Sequence, residues 1–342
     1  MKVLVFNCGS SSLKYKLIEM PSGEEVAGGE AQSVGPPTEK PPRIVHHVGD
    51  TEEVRDVEMP NHAAAYNEIM QLLESDKNLI PDALGHRMVH GGTIFSKPAV
   101  IDEDAMSQLQ ETRGLAPLHN PPAINLVEAC RERDPEVPEV AVFDTAFHST
   151  IPGYASTYAL PRELREEMGI RKCGFHGTSH QYVAQQAAKF LGKPMNKFNA
   201  VSCHLGSGGA SLCAIVDGKS VDNTMGYSPL QGLVMSTRCG DLDPAVALDM
   251  LARTDGDNAA VETALNKRSG VLGMSGASAD IRDVLAHRSG SLNESRTDLT
   301  AQVYLWRIRK YLGAYLAVVG NADAVIFTDT IGETMPQVRW GV

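Results

Sequence analysis

Lys2-Val3-Leu4-Val5-Phe6-Asn7-Cys8-Gly9-Ser10-Ser11-Ser12-Leu13-Lys14-Tyr15-Lys16-Leu17-Ile18 is the stretch on which the fold turns. Val3–Phe6 is a short apolar strand, Asn7–Ser12 has turn chemistry, and Leu13–Ile18 alternates apolar and polar with period two. Together they predict a β-hairpin. A second stretch repeats the design: Ala200–Leu205, the turn Gly206-Ser207-Gly208-Gly209, and the return strand Ala210–Val216. A Gly/Ser turn alone signals only a tight hairpin. Here each turn follows an apolar strand that carries a polar residue near its end (Asn7, His204), and each presents backbone amides without bulky side chains. The repetition points to a duplicated domain.

Outward from the hairpins, helical periodicity marks residues 61–76, 104–113, 124–133, 244–252, 258–266 and 299–320, with a short strand running into a glycine turn over 83–92 and short apolar strands at 140–143 and 324–327. Residues 22–60, rich in Gly, Pro and Glu, read as loops and short edge strands. Strands alternating with helices predict an α/β architecture, and 342 residues suit two domains. Apolar residues at 42% and charged residues at 21% exclude a disordered or fibrous chain. A net charge of −11 gives no electrostatic footprint for nucleic acid. The apolar run Val3–Phe6 is too short for a signal peptide, and no stretch approaches the ~18 apolar residues of a membrane span. The six cysteines are scattered without a CxxC pair, which fits reduced thiols in the cytoplasm.

Arginine, histidine and aspartate gather in short loops flanked by glycine or proline. Arg87 lies in GHRMVHGG, Arg238 in MSTRCGDLDP, Arg282 in SADIRD, His119 in LAPLHNPP, His176 and His180 in GFHGTSH, and Asp144 in VFDTAFH. Arginine beside glycine turns suits an anionic ligand, because its fixed fork of donors matches carboxylate and phosphate oxygens. For any one of them a surface salt bridge is an equally good reading. His86/His90 and His176/His180 share the HxxxH spacing of a metal site. However, Arg87 and Gly177 stand where a metalloprotease needs glutamate, so locally hydrogen-bonded histidines are the better reading. Amide-rich turns, loop cations, histidines and an aspartate form the inventory of phosphoryl transfer. No GxxxxGK[ST] motif and no protein-kinase signature accompany them.

The chain resembles the acetate kinase family of the sugar-kinase and actin superfamily over essentially its whole length. The likeness rests on eight blocks in family order: FNCGSSSLKYKL, GHRMVHGG, LAPLHNPPAI, VFDTAFHSTIP, YALPRELREEMGIRKCGFHGTSHQYVA, KSVDNTMGYSPLQGLVMSTRCGDLDP, SGVLGMSGASADIRD and FTDTIGE. It implies two duplicated actin-like, ribonuclease H-like α/β domains with the active site in the cleft between them. Residues 1–146 would be the N-terminal acetate-kinase domain and 147–342 the C-terminal nucleotide-binding domain, lacking the family's C-terminal segment. It implies a cytoplasmic homodimer without nucleic-acid or membrane partners. The reaction would be reversible phosphoryl transfer between ATP and acetate, giving acetyl phosphate and ADP with Mg²⁺, Mn²⁺ being an alternative. Asn7 would place the metal, and Lys14 would lie near the nucleotide phosphates. Arg87 and Arg238 would grip the acetate carboxylate and neutralise the transition state. His176 would donate to the phosphoryl group in flight, His119 would line its pocket, and Asp144 would act as the acid/base-type residue. His204, Leu205, Gly206, Ser207 and Gly208 would embrace the β- and γ-phosphates. Asp280, Ile281 and Arg282 would hold the nucleoside, and Thr330, Ile331, Gly332, Glu333 and Thr334 the adenosine end. Val89, Leu118 and Pro229 would form the methyl pocket.

Three departures from the family accompany these expectations. The phosphate loop has Ser207 in place of asparagine and one extra turn residue. Asp329-Thr330 replaces two small residues, and Thr334 replaces asparagine, which opens pyrophosphate as an alternative donor. Val342 precedes the family's late glutamate and last helix, so the chain reads as a fragment. Propionate is the alternative acceptor, and an inactive nucleotide-binding fragment the alternative of a different class.

Overall fold

The computed structural model describes residues 1–36, 41–117, 119–286 and 294–342. The chain divides into two compact units, Met1–Ala146 and Phe147–Val342.

In the first unit, β1 (Lys2–Cys8), β2 (Ser12–Glu19), β3 (Glu24–Gln32), β4 (Arg43–Val48) and β5 (Thr51–Asp56) form an antiparallel meander. Beyond β1, β6 (Ala83–Met88) and β8 (Glu139–Phe143) continue the sheet in parallel, and β7 (Ala99–Val100) closes the edge. Along β2, Leu13, Tyr15 and Leu17 are buried while Lys14 and Lys16 point outward, as the period-two pattern predicts. The buried row packs with Leu4, Phe6, Tyr66, Ile69, Ile124 and Val127 in one core beneath helices His62–Glu74 and Asn120–Arg133.

Residues 22–60 correct the expectation of loops and short edge strands, since β3 runs for nine residues inside the sheet. Its glycines misled the reading because they serve packing here. A Cβ at Gly29 would lie 2.8 Å from the Tyr15 hydroxyl, which hydrogen-bonds His46 Nδ1 at 2.6 Å. Glycine in this strand admits another residue's side chain. Helix Asn120–Arg133 starts earlier than its apolar periodicity suggested, with Pro121 and Pro122 in its first turn, where a missing N–H costs nothing.

In the second unit, β9 (Ala200–Leu205), β10 (Ala210–Val216) and β11 (Lys219–Asn223) are antiparallel, and β12 (Ala324–Thr328) lies parallel to β9. Helices Gly177–Phe190 and Glu294–Val319 pack on this sheet, and β9 and β10 are buried along nearly their whole length. The order β11-β10-β9-β12 repeats β3-β2-β1-β6, including a parallel strand beside the first strand of each hairpin. The two units therefore share a four-strand arrangement, as the paired hairpin motifs suggested.

Candidate active site

In the first unit, three side chains gather at the carboxyl ends of parallel strands, where open α/β sheets place their ligands. Asn7 ends β1, Arg87 stands opposite it on β6, and Asp144 follows β8. Arg87 Nη1 donates to Asn7 Oδ1 at 2.7 Å, and Arg87 Nε donates to both Asp144 oxygens at 3.1 and 3.2 Å. Its Nη2 also pairs with Asp144. Asp144 is buried, whereas the Arg87 side chain keeps 35% of its exposure, so one end of the fork faces outward. The acid/base role expected of Asp144 thus meets a carboxylate already committed to orienting an arginine. Lys14 is the cross-strand partner of Asn7 and points outward, 3.7 Å from Glu30.

A second layer fixes the loop after β6. Gly91 N donates to Thr145 Oγ1 at 3.0 Å, and Asn120 Nδ2 donates to the carbonyls of His90 and Thr112 at 2.8 and 2.9 Å. His90 is buried, its Nδ1 accepting from Gly92 N at 2.9 Å, and burial pushes its pKa down to about 4. His90 is therefore neutral at pH 7. His86 lies on a strand rather than on a helical face, hydrogen-bonded to Glu139 at 2.6 Å, which removes the geometric basis for reading the first HxxxH pair as a helical metal site. His119 is the half-buried residue that precedes helix Asn120–Arg133, and Val89 is half-buried. Leu118 lies outside the described residues.

The second unit holds the glycine turn. Gly206 N donates to Gly209 O at 3.0 Å, closing the four-residue connection between β9 and β10. A Cβ at Gly209 would lie 3.4 Å from His176 Nε2 and 3.6 Å from Arg238 Nη1, so both side chains converge on this turn. Arg238 Nη1 donates to Pro229 O at 3.3 Å, and burial pushes the guanidinium pKa down. Among the described residues no carboxylate pairs with Arg238. A partly desolvated cation without a counter-ion carries a cost, and an anionic ligand would offset it. His176 has φ of 59°, a left-handed conformation rare outside glycine that recurs at functional sites.

His176 stands at the end of a hydrogen-bonded chain. Its Nδ1 is 2.9 Å from Ser211 Oγ, which is 2.9 Å from His180 Nε2, while His180 Nδ1 is 2.9 Å from Ser202 Oγ. His180 is completely buried, and desolvation holds its pKa well below the ordinary value. A neutral imidazole has one donor and one acceptor, so these bonds share a direction. Of the two directions open to them, the one running from Ser202 to His180, Ser211 and His176 would leave the His176 proton on Nε2, the nitrogen nearest the turn. The second HxxxH pair is thus a serine-linked network. Its serines were missed, although a serine inside an otherwise apolar strand (Ser202, Ser211) already demands a buried partner.

The remaining expected residues lie around the turn or apart from it. Leu205, Ile281 and Ile331 are buried in the core, so only their backbone can face a ligand. Asp280 pairs with the exposed Arg282 two residues on, at 2.6 Å. Thr330, Ile331, Gly332, Glu333 and Thr334 belong to the short helix Asp329–Thr334. Glu333 Oε1 accepts from Asp329 N at 3.1 Å, and Arg339 Nη1 donates to the Gly332 and Glu333 carbonyls at 2.8 and 2.7 Å.

Comparison with known proteins adds identity to this geometry. The model of the acetokinase family matches residues 2–342. An acetate kinase of Alkaliphilus metalliredigens is 46% identical over 348 aligned positions, covering 99% of this chain and 86% of the relative. The crystal structure of Porphyromonas gingivalis acetate kinase superimposes with a TM-score of 0.92 at 39% identity, over 99% of this chain and 86% of the other. A propionate kinase from Francisella tularensis superimposes with a TM-score of 0.92 at 38% identity, with the same coverage.

Proposed function

The chain belongs to the acetokinase family, and from that premise we propose how its residues carry out phosphoryl transfer between ATP and acetate. The activity is that of a phosphotransferase with a carboxyl group as acceptor. Acetate is ionised at pH 7 and attacks without a general base, so the protein's task is positioning and charge neutralisation.

The observation that carries this reading is the convergence of His176 and Arg238 on the Gly206–Gly209 turn. The turn amides receive the phosphates of the nucleotide, with His204, Leu205, Gly206, Ser207 and Gly208 as the phosphate loop. His176 donates from Nε2 to the equatorial oxygens of the transferred group. Arg238 neutralises the charge that develops there, in a desolvated setting where a cation acts more strongly than in water. Asp280–Arg282 and Thr330–Thr334 serve the nucleoside. In the first unit, Asp144 orients Arg87 toward the acetate carboxylate, Lys14 serves the nucleotide phosphates, and His119 and Val89 border the acetate.

Mg²⁺ belongs to the same proposal. Asn7 Oδ1 is a hard oxygen donor of the kind Mg²⁺ takes, and Asn7 is exposed. When bound, the ion would supply charge neutralisation on the phosphates. Six free cysteines support a reducing cytoplasm, and no helix among the described residues is long and apolar enough to cross a membrane. The exposed apolar side chains Leu299 and Trp306 on helix Glu294–Val319 support a homodimer.

The test is acetyl phosphate formation by the purified chain with acetate, MgATP and, separately, pyrophosphate, with propionate as competing acceptor. Turnover with ATP and acetate is expected. Silence from folded protein with every donor would refute the assignment in favour of an inactive nucleotide-binding fragment.

A further inference from the structure

The register of the second sheet brings an unexpected charge to the glycine turn. Thr328 on β12 pairs with His204 on β9, so the next residue, Asp329, emerges beside the turn. Asp329 has φ of 67°, a left-handed conformation that aspartate tolerates better than most residues. That conformation turns its carboxylate back toward the turn. Asp329 Oδ2 lies 3.0 Å from His204 Nε2, and Oδ1 accepts from Thr330 N and, at 2.8 Å, from Thr330 Oγ1. A Cβ at Gly206 would come within 2.8 Å of Asp329 Oδ2, so the carboxylate rests on the backbone of the turn. The imidazole bond to His204 holds the Asp329 carboxyl far below the usual carboxylate range, so it is an anion at all physiological pH. His204 is oriented in turn by Ser179 Oγ, 2.9 Å from its Nδ1. A ring that donates from Nε2 to a carboxylate accepts at Nδ1.

We propose that Asp329 is an affinity-setting residue of the nucleotide site, an internal anion that occupies the flank of the glycine turn, engages His204 and opposes the phosphates of an incoming nucleotide. The proposal rests on reading His204–Gly208 as the phosphate loop. Two effects act in the same direction. The carboxylate repels phosphate oxygens across a partly desolvated gap, where charges interact more strongly than in water. It also takes the His204 N–H that would otherwise donate to a phosphate. Both grow with ligand charge, so the penalty is larger for ADP or ATP than for AMP and leaves acetate untouched.

Asp329→Asn tests this while keeping the shape of the side chain and its tolerance of the left-handed conformation, and Asp329→Gly removes the side chain altogether. The readouts are calorimetric Kd values for ADP and AMP, and steady-state KM values for ATP and acetate. Both variants are expected to lower the ADP Kd and the ATP KM by ~5-fold or more, with less change for AMP and no change in the acetate KM. Raising salt should narrow the gap between wild type and variant, as screening requires. An ADP Kd that is unchanged or higher in both variants overturns the proposal, as does failure of ADP to bind either protein at millimolar concentration. Loss of wild-type turnover alongside a normal Kd shift would instead refute the kinase reading and leave the role of Asp329 standing.

Discussion

Arg238→Ala removes a cation from the face of the glycine turn, and the structure sets the size of the effect. The guanidinium is half-buried, approaches the turn at Gly209, and has a carbonyl and a thioether sulfur among its contacts, at 3.3 Å on Pro229 O and 3.8 Å on Met235 Sδ. Unit charges ~4 Å apart interact by about 4 kcal/mol at an effective dielectric of ~20, against about 1 kcal/mol in water. The interaction lost with Arg238 is therefore about 3 kcal/mol, a fall of ~10²-fold in kcat if it is made in the transition state. Stability should move the other way or not at all. The two contacts are long, and removing a partly desolvated charge that has no counter-ion among the described residues relieves a cost of burial. The assay is the initial rate of acetyl phosphate formation at saturating ATP and acetate, read beside the melting temperature. Arg238→Lys, which keeps the charge and loses the planar fork, should fall in between. A kcat for Arg238→Ala within threefold of wild type, in protein that melts normally, would refute the assignment of this side chain.

Further expectations follow from the same contacts. Asp144→Asn leaves Arg87 facing a neutral amide. The arginine is about one-third exposed, so solvent softens the loss to about 1–3 kcal/mol, read as a lower urea midpoint at constant slope; an unchanged midpoint would contradict the pairing. Ser211→Ala cuts the link from His180 to His176 and should lower kcat by ~10-fold with unchanged KM values. It should also shift the ring-nitrogen resonances of His176; unaltered resonances and kcat would remove the serine chain from the mechanism. His90, with its pKa depressed to about 4 by burial, makes the fold sensitive to acid. Below pH ~6.5 the unfolded chain takes up this proton and the folded chain does not. Stability present above that pH is then lost, by about 3 kcal/mol in total, as pH falls from ~6.5 to 4. His90→Gln should flatten the slope of stability against pH over that window, and an identical slope in the variant would exclude His90 as its source.

How much of this was legible in advance depended on whether the signal was local. The hairpin at Lys2–Ile18 and its echo at Ala200–Val216 could be read directly, because period-two alternation and turn chemistry act between near neighbours. The motif blocks carried the family and the candidate residues for the same reason, each being a short run with its own spacing. Sequence by itself therefore determined the α/β class, the repeated hairpin, the phosphotransferase chemistry and the departure at Asp329. Reading failed where glycine had two meanings: Gly28 and Gly29 suggested a loop, yet they make room inside a strand for His47 and Tyr15. Only the tertiary structure decided how the chemistry is wired. The pairing of β1 with β6 set Asn7 beside Arg87, 80 residues away, and that of β6 with β8 brought Asp144 to the same guanidinium. The parallel register of β12 on β9 carried Asp329 onto His204, and the packing of helix Gly177–Phe190 on the second sheet joined His176 to His180 through Ser211, with Ser202 on the far side of His180. These contacts depend on which strands are neighbours and in what register. That choice is made by burying whole apolar faces at once, so no single motif encodes it.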